Sequence, residues 1–409
     1  MKGSNIKLSD QRPFFSGLLL LFIIAHFGHH VVGAMLSPLM PLIRTELSLN
    51  YTQAGVVISA FSITNGISQL PAGWLADRYG VRLMTAISVS GVAVAGLLVG
   101  LSHTYTALVA FLVLAALFAG GYHPASATAI STIVHPEKRG RALGLHLIGG
   151  SSAFWVVPLI AAPIAVAWGW RGSYITLTIP VIVLGIVLYY LIGRQTRIAV
   201  QDLQPAVQST LSAPSRIQWQ KLVPFIVMSI ATATLTQSVG AYYSLYLVDH
   251  FSLPAPTAAA LVAITPAVGA FAAPLGGYLS DRFGSVPVLI VASLFAAPLL
   301  YTMNIVPNVV LFATLLLLMG VVNMTRMPAS ESYIVSNVSP HRRSTILGIY
   351  FFAGSEMSGL LIPVMGHLID MRGFSAVFTI ASTSLLIATV VCVILLWRAR
   401  HSSSISRTG

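Results

Sequence analysis

Three histidines lie close together within one long apolar stretch near the start of the chain. His26, His29 and His30 have the spacing i, i+3, i+4, which places them within about 100° of one another on a helix. They stand roughly 12–16 residues into a run that is long enough to cross a bilayer. Histidine titrates near neutral pH, so this face can carry a proton or bind an anion. The spacing also suits a metal ion or neutral histidines bonded between helices, but no further ligands cluster nearby, and we assign no metal.

Ionisable residues interrupt other apolar runs as well. His123 precedes Pro124, whose ring frees a backbone carbonyl within a helix. His146 is a further candidate in the following run. Arg326 and Glu356 stand in two later runs, and Arg326 cannot lose its charge in a protein. Ionisable groups at this depth usually face a cavity and have a function.

Two interpretations of Arg326 and Glu356 remain open, together with a combination of both. In the first, the two side chains form a buried ion pair that joins two helices. In the second, Arg326 binds an anionic solute while Glu356 exchanges a proton. A switch between these arrangements would couple the solute to the proton. Gln237 and Tyr242 add polar groups that a small-molecule site needs among apolar walls.

Several other chemistries find no support in the sequence. No G-x-x-x-x-G-K-[ST] loop is present, so ATP is not the expected energy source. No nucleophile and base stand in a catalytic pattern, so we do not expect an enzyme, and no cofactor is implied. The basic residues are dispersed, which argues against nucleic-acid binding.

The composition predicts a chain that lies almost wholly within a membrane. Of 409 residues, 56% are hydrophobic and only 8% are charged, whereas charged residues usually make up about a quarter of a soluble protein. Runs of about 20 apolar residues span a bilayer as helices. We predict an all-α integral membrane fold with twelve transmembrane helices, spans 1–12, at 14–43, 51–76, 83–102, 105–133, 139–168, 173–193, 221–248, 256–280, 286–305, 308–336, 341–369 and 374–397.

Charge and polarity divide the chain into two halves and orient it. A polar segment at 194–220 separates an N-terminal six-helix bundle (1–193) from a C-terminal bundle with a short tail (221–409). Of the 22 Lys and Arg residues, eighteen fall in segments that are cytoplasmic if the N-terminus is, and only Arg44, Arg171 and Arg372 fall in outer loops. This positive-inside pattern predicts that both termini are cytoplasmic.

A charged loop occurs twice at equivalent places. The stretch from Gly73 to Arg82 follows span 2, and a copy at 277–284 follows span 8, with Asp281 placed 204 residues after Asp77. An offset of half the chain indicates a duplicated unit, and an even number of helices per unit gives parallel repeats. The residues of interest in these loops and in the turns after spans 4 and 10 are Gly73, Asp77, Arg78, Gly80, Asp281, Arg282, Arg139 and Arg343.

The two halves, the loop of form G-x-L-x-D-R-x-G after spans 2 and 8, and the Pro-x-x-Arg turns after spans 4 and 10 together resemble the major facilitator superfamily. Tyr122-His123-Pro124-Ala125-Ser126, and Gly149-Gly150 with Pro158 eight residues later, resemble its fosmidomycin-resistance exporters. Val157 departs from that pattern, because antiporters of this kind usually carry glycine before the proline. The resemblance implies alternating access and a central cavity lined by spans 1, 4, 7 and 10. It also implies a cytoplasmic latch formed by the charged loop, and we assign the loop and turn residues named above to gating on this basis.

These observations lead to one leading expectation and two alternatives. We expect a proton-coupled secondary transporter in the plasma (inner) membrane that exports a small anionic or polar organic solute and works as a single chain. The altered span 5 leaves room for an uptake symporter of an organic anion. A membrane solute sensor that binds without transporting is the alternative of another class.

Overall fold

The computed structural model describes residues 17–123, 125, 126, 130, 139–199, 218–338 and 340–405, and these residues form helices joined by short turns. In chain order the helices are α1 (Gly17–Glu46), α2 (Tyr51–Tyr79), α3 (Val81–Gly100), α4 (Tyr105–Ala119), α5 (Arg139–Ala199), α6 (Trp219–Gly240), α7 (Tyr243–Phe251), α8 (Ala255–Val262), α9 (Ile264–Phe283), α10 (Ser285–Ile305), α11 (Val309–Asn337) and α12 (Pro340–Ile405).

The all-helical membrane fold is confirmed, although the helix boundaries differ from the predicted spans. Spans 5 and 6 run together as α5, with a change of direction at Trp168 and Gly169, and spans 11 and 12 run together as α12 around Gly373. Span 7 is broken after Gly240 into α6 and α7. Span 8 is broken between α8 and α9, where Pro266 has no amide hydrogen to donate to the preceding turn.

Parts of two predicted segments lie outside the described residues. The predicted linker begins at 194, but α5 continues to Ala199 and α6 begins at Trp219. Residues 200–217, which make up most of that linker, are outside the described part, as is most of span 4 beyond 126. The division into two bundles at 193 and 221 therefore stays a prediction.

Seven helical segments of the described chain are long and apolar enough to cross a membrane. Two of them, Leu145–Arg194 with 50 residues and Ile346–Ala399 with 54, extend well beyond a single crossing, because a bilayer core of about 30 Å needs only about 20 helical residues. Helices suit this environment because all of their backbone hydrogen bonds are made within the segment.

The backbone repeats the 204-residue offset seen in the sequence. Six described residues have positive φ, and they form three pairs that are each 204 residues apart: Ser48 with Ser252, Gly80 with Gly284, and Gly169 with Gly373. Gly80 and Gly284 have nearly identical conformations, with φ of 85° and 86° and ψ of 146° and 149°, a region open to glycine almost alone. Thr104 and Asn308, also 204 residues apart, cap α4 and α11 in the same way. The duplication therefore extends to individual turns.

The helices define two ends of the molecule. We call the end that carries Gly80 and Gly284 the motif end, and the end where α2 begins at Tyr51 the far end. The two halves meet chiefly along α2 and α12, with additional packing of α5 on α8 and α9.

The contact between α2 and α12 covers only part of their length. Tyr51 lies against Gly366 at the far end, Ile63 lies against Gly359, and Gly66 lies against Glu356 near the middle of α2. Closer to the motif end, a methyl group added to Gly354 of α12 would meet nothing within 4 Å. The two helices are thus joined from the far end to the level of Glu356.

Candidate solute site and gate

Five histidines converge in the first half of the molecule. His26, His29 and His30 come from α1, His123 from the helical residues that follow α4, and His146 from α5. The ring centre of His26 lies 4.2 Å from that of His146, 4.9 Å from that of His30 and 5.2 Å from that of His123. His26 and His29 are buried, while His30 and His123 are half-buried. The face predicted on α1 is therefore joined by imidazoles from two other helices.

Backbone carbonyls set the hydrogen positions in this cluster. The Nδ1 atom of His26 donates to the carbonyl oxygen of His146 at 2.8 Å, and Nδ1 of His146 donates to the carbonyl of Phe22 at 3.1 Å. Since a carbonyl only accepts, Nε2 of neutral His26 keeps a lone pair. That atom lies 3.1 Å from Nε2 of His30, which donates to it.

Two glycines of α5 allow this close approach. A methyl group on Gly150 would overlap the imidazole of His26, and one on Gly149 would overlap the carbonyl of Ile23. The Gly149-Gly150 pair noted in the sequence therefore brings α5 against α1 and holds the His26 ring in place.

Arg326 of α11 is buried, and among the described residues it forms no ion pair, although Glu331 of the same helix interacts with it electrostatically. One terminal nitrogen, Nη1, donates to the hydroxyl of Ser229 at 2.8 Å and to the hydroxyl of Tyr350 at 3.0 Å. Its Nε atom is buried and has no hydrogen-bond partner, and the residue is 6% exposed. Among the described residues no carboxylate forms an ion pair with it within 4.0 Å. The buried pair of Arg326 with Glu356 is thus not formed in this conformation.

Glu356 of α12 stands at the boundary of the contact between the halves. Its Oε1 atom is buried against Gly66 and has no hydrogen-bond partner in the described part of the chain. The neighbouring polar residues of α2 bond to each other, since the amide of Gln69 donates to Asn65 at 3.2 Å. A carboxyl group in this setting is more easily accommodated when it is neutral.

The remaining predicted site residues occupy different surroundings. Gln237 of α6 is exposed. Tyr242 lies in the break between α6 and α7, where its hydroxyl is 2.8 Å from the carbonyl oxygen of Ile362 and 3.2 Å from that of Tyr51. The structure thus places Tyr242 in the contact between the halves at the far end.

Among the described residues, the charged loops form no hydrogen bond or ion pair between the halves. Arg78 lies near the rings of its own helix, with its guanidinium carbon 5.4 Å from the centre of the Trp74 ring. Arg282 donates to the hydroxyl of Tyr278 at 2.8 Å, and Asp281 is exposed. The predicted gating residues whose side chains lie outside the described part are Asp77, Arg139 and Arg343.

The far end carries a polar network that sequence reasoning missed. Asp370, which follows span 11, accepts hydrogen bonds from the backbone amides of Tyr51 and Thr52 at 2.9 and 2.8 Å and from the Thr52 hydroxyl at 2.5 Å. Arg44 forms an ion pair of 2.9 Å with Asp249, and the hydroxyl of Tyr51 donates to the same carboxylate. Acidic residues at the ends of apolar runs were the only sequence signal for this network.

Comparison with known proteins identifies the family. A family model described as Major Facilitator Superfamily matches residues 22–363 and 225–408. Multidrug resistance protein MdtG of Proteus mirabilis (strain HI4320) is 31% identical over 376 residues, which cover 87% of this chain and 90% of that protein. MdtG of Escherichia coli (strain K12 / DH10B) is 27% identical over 380 residues, covering 88% and 90%.

Solved structures agree on the fold. A POT family transporter crystallised with 5-aminolevulinic acid gives a TM-score of 0.78 at 14% identity, covering 95% of this chain and 98% of that one. A bacterial homolog of the human lysosomal transporter Spinster gives 0.75 at 17%, covering 95% and 97%. The chain is a multi-pass membrane transporter and not an enzyme, and it belongs to the Major Facilitator Superfamily.

Proposed function

We propose that this protein exports a small organic solute with an anionic group and exchanges it for protons by alternating access. It acts as a single chain in the inner membrane, with the motif end and both termini on the cytoplasmic side. The distribution of Lys and Arg supports this orientation.

The single observation that carries the substrate class is the buried charge of Arg326, which has no ion-pair partner among the described residues. Neutral hydroxyl groups of Ser229 and Tyr350 hold one side of its guanidinium, and Glu331 of the same helix interacts with it electrostatically without forming an ion pair. Burying such a charge without an ion-pair partner costs several kcal/mol. A carboxylate or phosphonate on a solute would supply the missing partner, and guanidinium binds such groups through two parallel hydrogen bonds.

We place proton exchange on Glu356 because of its position between the halves. Its unpartnered carboxyl oxygen fits against Gly66 only while the halves are in contact there. Loss of the proton would leave an anion in an apolar contact with no cation within ion-pair distance among the described residues. That anion favours separation of α2 from α12, so the protonation state of Glu356 biases the conformation.

The contacts at the two ends support a cavity that opens toward the motif end. Asp370, Asp249 and Tyr242 join the halves at the far end, whereas the described loop residues at the motif end form no hydrogen bond or ion pair with the other half. In the proposed orientation, this conformation receives solute from the cytoplasm. Loading from that side is the first step of export.

The relatives support export over uptake. Both proteins named above are multidrug resistance proteins, and a transporter confers resistance by removing a compound from the cell. The exposed Gln237 provides a neutral polar group for the remainder of a solute.

A thermal-shift screen of the purified chain tests the substrate class. The panel contains organic acids, phosphonates including fosmidomycin, and cationic antibiotics. Bound ligand raises the unfolding temperature, and we expect stabilisation by one or more anions that is lost in Arg326→Gln. Stabilisation by cations alone would overturn the proposed solute class.

The direction of transport, and the distinction between a transporter and a sensor, each require their own measurement. Everted vesicles accumulate solute if the protein is an exporter, whereas right-side-out vesicles accumulate it if the protein is an uptake symporter. Solute counterflow in proteoliposomes distinguishes a transporter from a sensor, because a sensor shows none. Accumulation only in right-side-out vesicles would contradict export.

A further inference from the structure

Three of the clustered histidines have the geometry of a metal-binding site. Ring nitrogens of His26, His30 and His123 all lie within 4.8 Å of one another. His26 and His30 share one turn of α1, but His123 comes from the stretch after α4, so the sequence spacing on α1 shows only two of the three ligands. We propose that these three imidazoles bind one transition-metal ion, of which Zn²⁺ is the representative.

The distances fit a zinc ion after a small movement. Zinc–nitrogen bonds of about 2.0–2.1 Å in tetrahedral geometry place two ligand nitrogens roughly 3.4 Å apart. The Nε2 atoms of His26 and His30 are already 3.1 Å apart. The third nitrogen, from His123, lies within 4.8 Å and needs to approach by roughly 1.4 Å at most to meet the tetrahedral spacing.

The hydrogen positions suit a ligand as well as the distances do. His26 donates through Nδ1 to the carbonyl of His146 at 2.8 Å, which leaves the Nε2 lone pair directed at His30. A metal-bound histidine usually donates its other ring hydrogen to a carbonyl or carboxylate in this way, because that bond fixes the tautomer and the ring orientation. A metal ion at this place would replace the hydrogen that His30 now donates.

The type of ligand restricts the type of metal. Three neutral imidazoles suit Zn²⁺, Ni²⁺ and Cu²⁺, whereas Mg²⁺ and Ca²⁺ require oxygen ligands. Entry is possible because His30 and His123 are half-buried while His26 is buried. Three protein ligands leave a fourth position for water.

This site is distinct from the solute site that we place at Arg326. The histidines belong to α1 and the stretch after α4, whereas Arg326 belongs to α11 and is held by Ser229 and Tyr350. Metal binding is measured on the purified chain without transport. A chain that does not bind metal would therefore leave the proposed export unaffected. A chain that does not export solute would leave the proposed metal site unaffected.

The test is a Zn²⁺ titration of the full chain purified through a tag that contains no histidine and stripped with EDTA. A chromophoric chelator competes for the metal and reports affinity and stoichiometry. We expect one Zn²⁺ per chain and a loss of affinity of at least ten-fold in His30→Gln and in His123→Gln. His103→Gln, at an exposed position outside the cluster, is the matched control and should bind as the wild type does.

Two further measurements keep the test decisive. Gly150→Ala retains every imidazole but displaces the ring of His26, so it should also weaken binding. Co²⁺ added to the wild-type chain should give visible absorption bands typical of nitrogen ligation, and excess Mg²⁺ should not remove them. Equal Zn²⁺ affinity in the wild type, His30→Gln and His123→Gln, or no saturable binding by the wild type, would overturn the proposal.

Discussion

The carboxylate of Asp370 accepts hydrogen bonds from both the backbone amide and the hydroxyl of Thr52, which lies 318 residues earlier in the chain. It thereby caps the N-terminus of α2, where the first amides have no partner within the helix and an anion is favoured. Burial raises the pKa of Asp370, but the bonds from Thr52 and Tyr51 and the nearby Arg44 outweigh burial, and the pKa is held below its ordinary value.

The direction of the pKa shift of Asp370 determines the pH range in which its contact with Thr52 holds the far end closed. An acid whose pKa is lowered when the far end is closed stabilises that closed conformation fully at pH values above its ordinary pKa. The stabilisation is lost as the pH falls through the lowered pKa. The far-end contact is therefore at full strength at neutral pH, and only strong acid weakens it.

Asp370→Asn should open the far end. The amide keeps one acceptor oxygen but loses the charge, and a hydrogen bond to a charged group contributes about 1.5–3 kcal/mol. We expect a shift of roughly ten-fold or more in the equilibrium toward separation at this end. Spin labels would be attached at His103→Cys and Pro307→Cys, in the turns before α4 and α11, after the native Cys392 is replaced by serine. Separation of the far end would appear as longer distances between the labels in pulsed electron paramagnetic resonance.

Glu46→Gln serves as the control for that experiment. It also removes one carboxylate charge at the far end, but Glu46 bonds to Arg171 and Trp170 of its own half. The distance between the far-end labels should not change in this variant. Equal distances in Asp370→Asn and the wild type would show that Asp370 does not hold the far end closed.

Arg326→Gln should weaken binding of the anionic solute by at least ten-fold, since the variant lacks the charge that the solute neutralises. Arg326→Lys should restore only part of the affinity, because a lysine cannot form two parallel bonds to one carboxylate. Isothermal titration with the most stabilising anion of the thermal-shift panel measures both. Arg372→Gln, at an exposed position, is the control, and wild-type affinity in Arg326→Gln would contradict the assignment.

Glu356→Gln should separate solute exchange from proton coupling. The amide is close in shape to the neutral carboxyl but cannot release a proton. We expect counterflow in proteoliposomes to continue while accumulation driven by an imposed pH gradient falls to background. Accumulation that still follows the pH gradient in this variant would remove Glu356 from the coupling step.

Gly66→Ala tests the contact of Glu356 with α2 from the opposite side. The added methyl group would overlap the carboxylate, so that either Glu356 or the helices must move. We expect pH-driven transport to fall several-fold while the chain remains folded. Gly354→Ala adds the same methyl group where nothing lies within 4 Å, and its transport should match the wild type; equal losses in both variants would count against this contact.

Much of the fold could be predicted because it depends on local composition. Apolar runs and the repeated loop predict the helices and the duplication, and Gly80 and Gly284 mark equivalent turns in both. The helix breaks after Gly240 and near Pro266 were missed, because hydropathy averaged over a span does not register a single interrupted hydrogen bond.

The site was only partly predictable, since its contacts join residues far apart in the chain. The shared face of His26, His29 and His30 follows from helical periodicity, but its meeting with His123 depends on how α1 packs. The hydroxyl groups around Arg326 come from Ser229 and Tyr350, and serines and tyrosines are too common in membrane helices to be singled out.

Proton-driven export of an anion is tested most directly in everted vesicles with an imposed pH gradient, acidic inside, and the most stabilising anion of the panel. We predict that wild-type vesicles accumulate the anion without ATP, that a protonophore abolishes accumulation, and that Arg326→Gln and Glu356→Gln vesicles do not accumulate it. Accumulation that ignores the pH gradient, or that persists unchanged in both variants, would contradict the account.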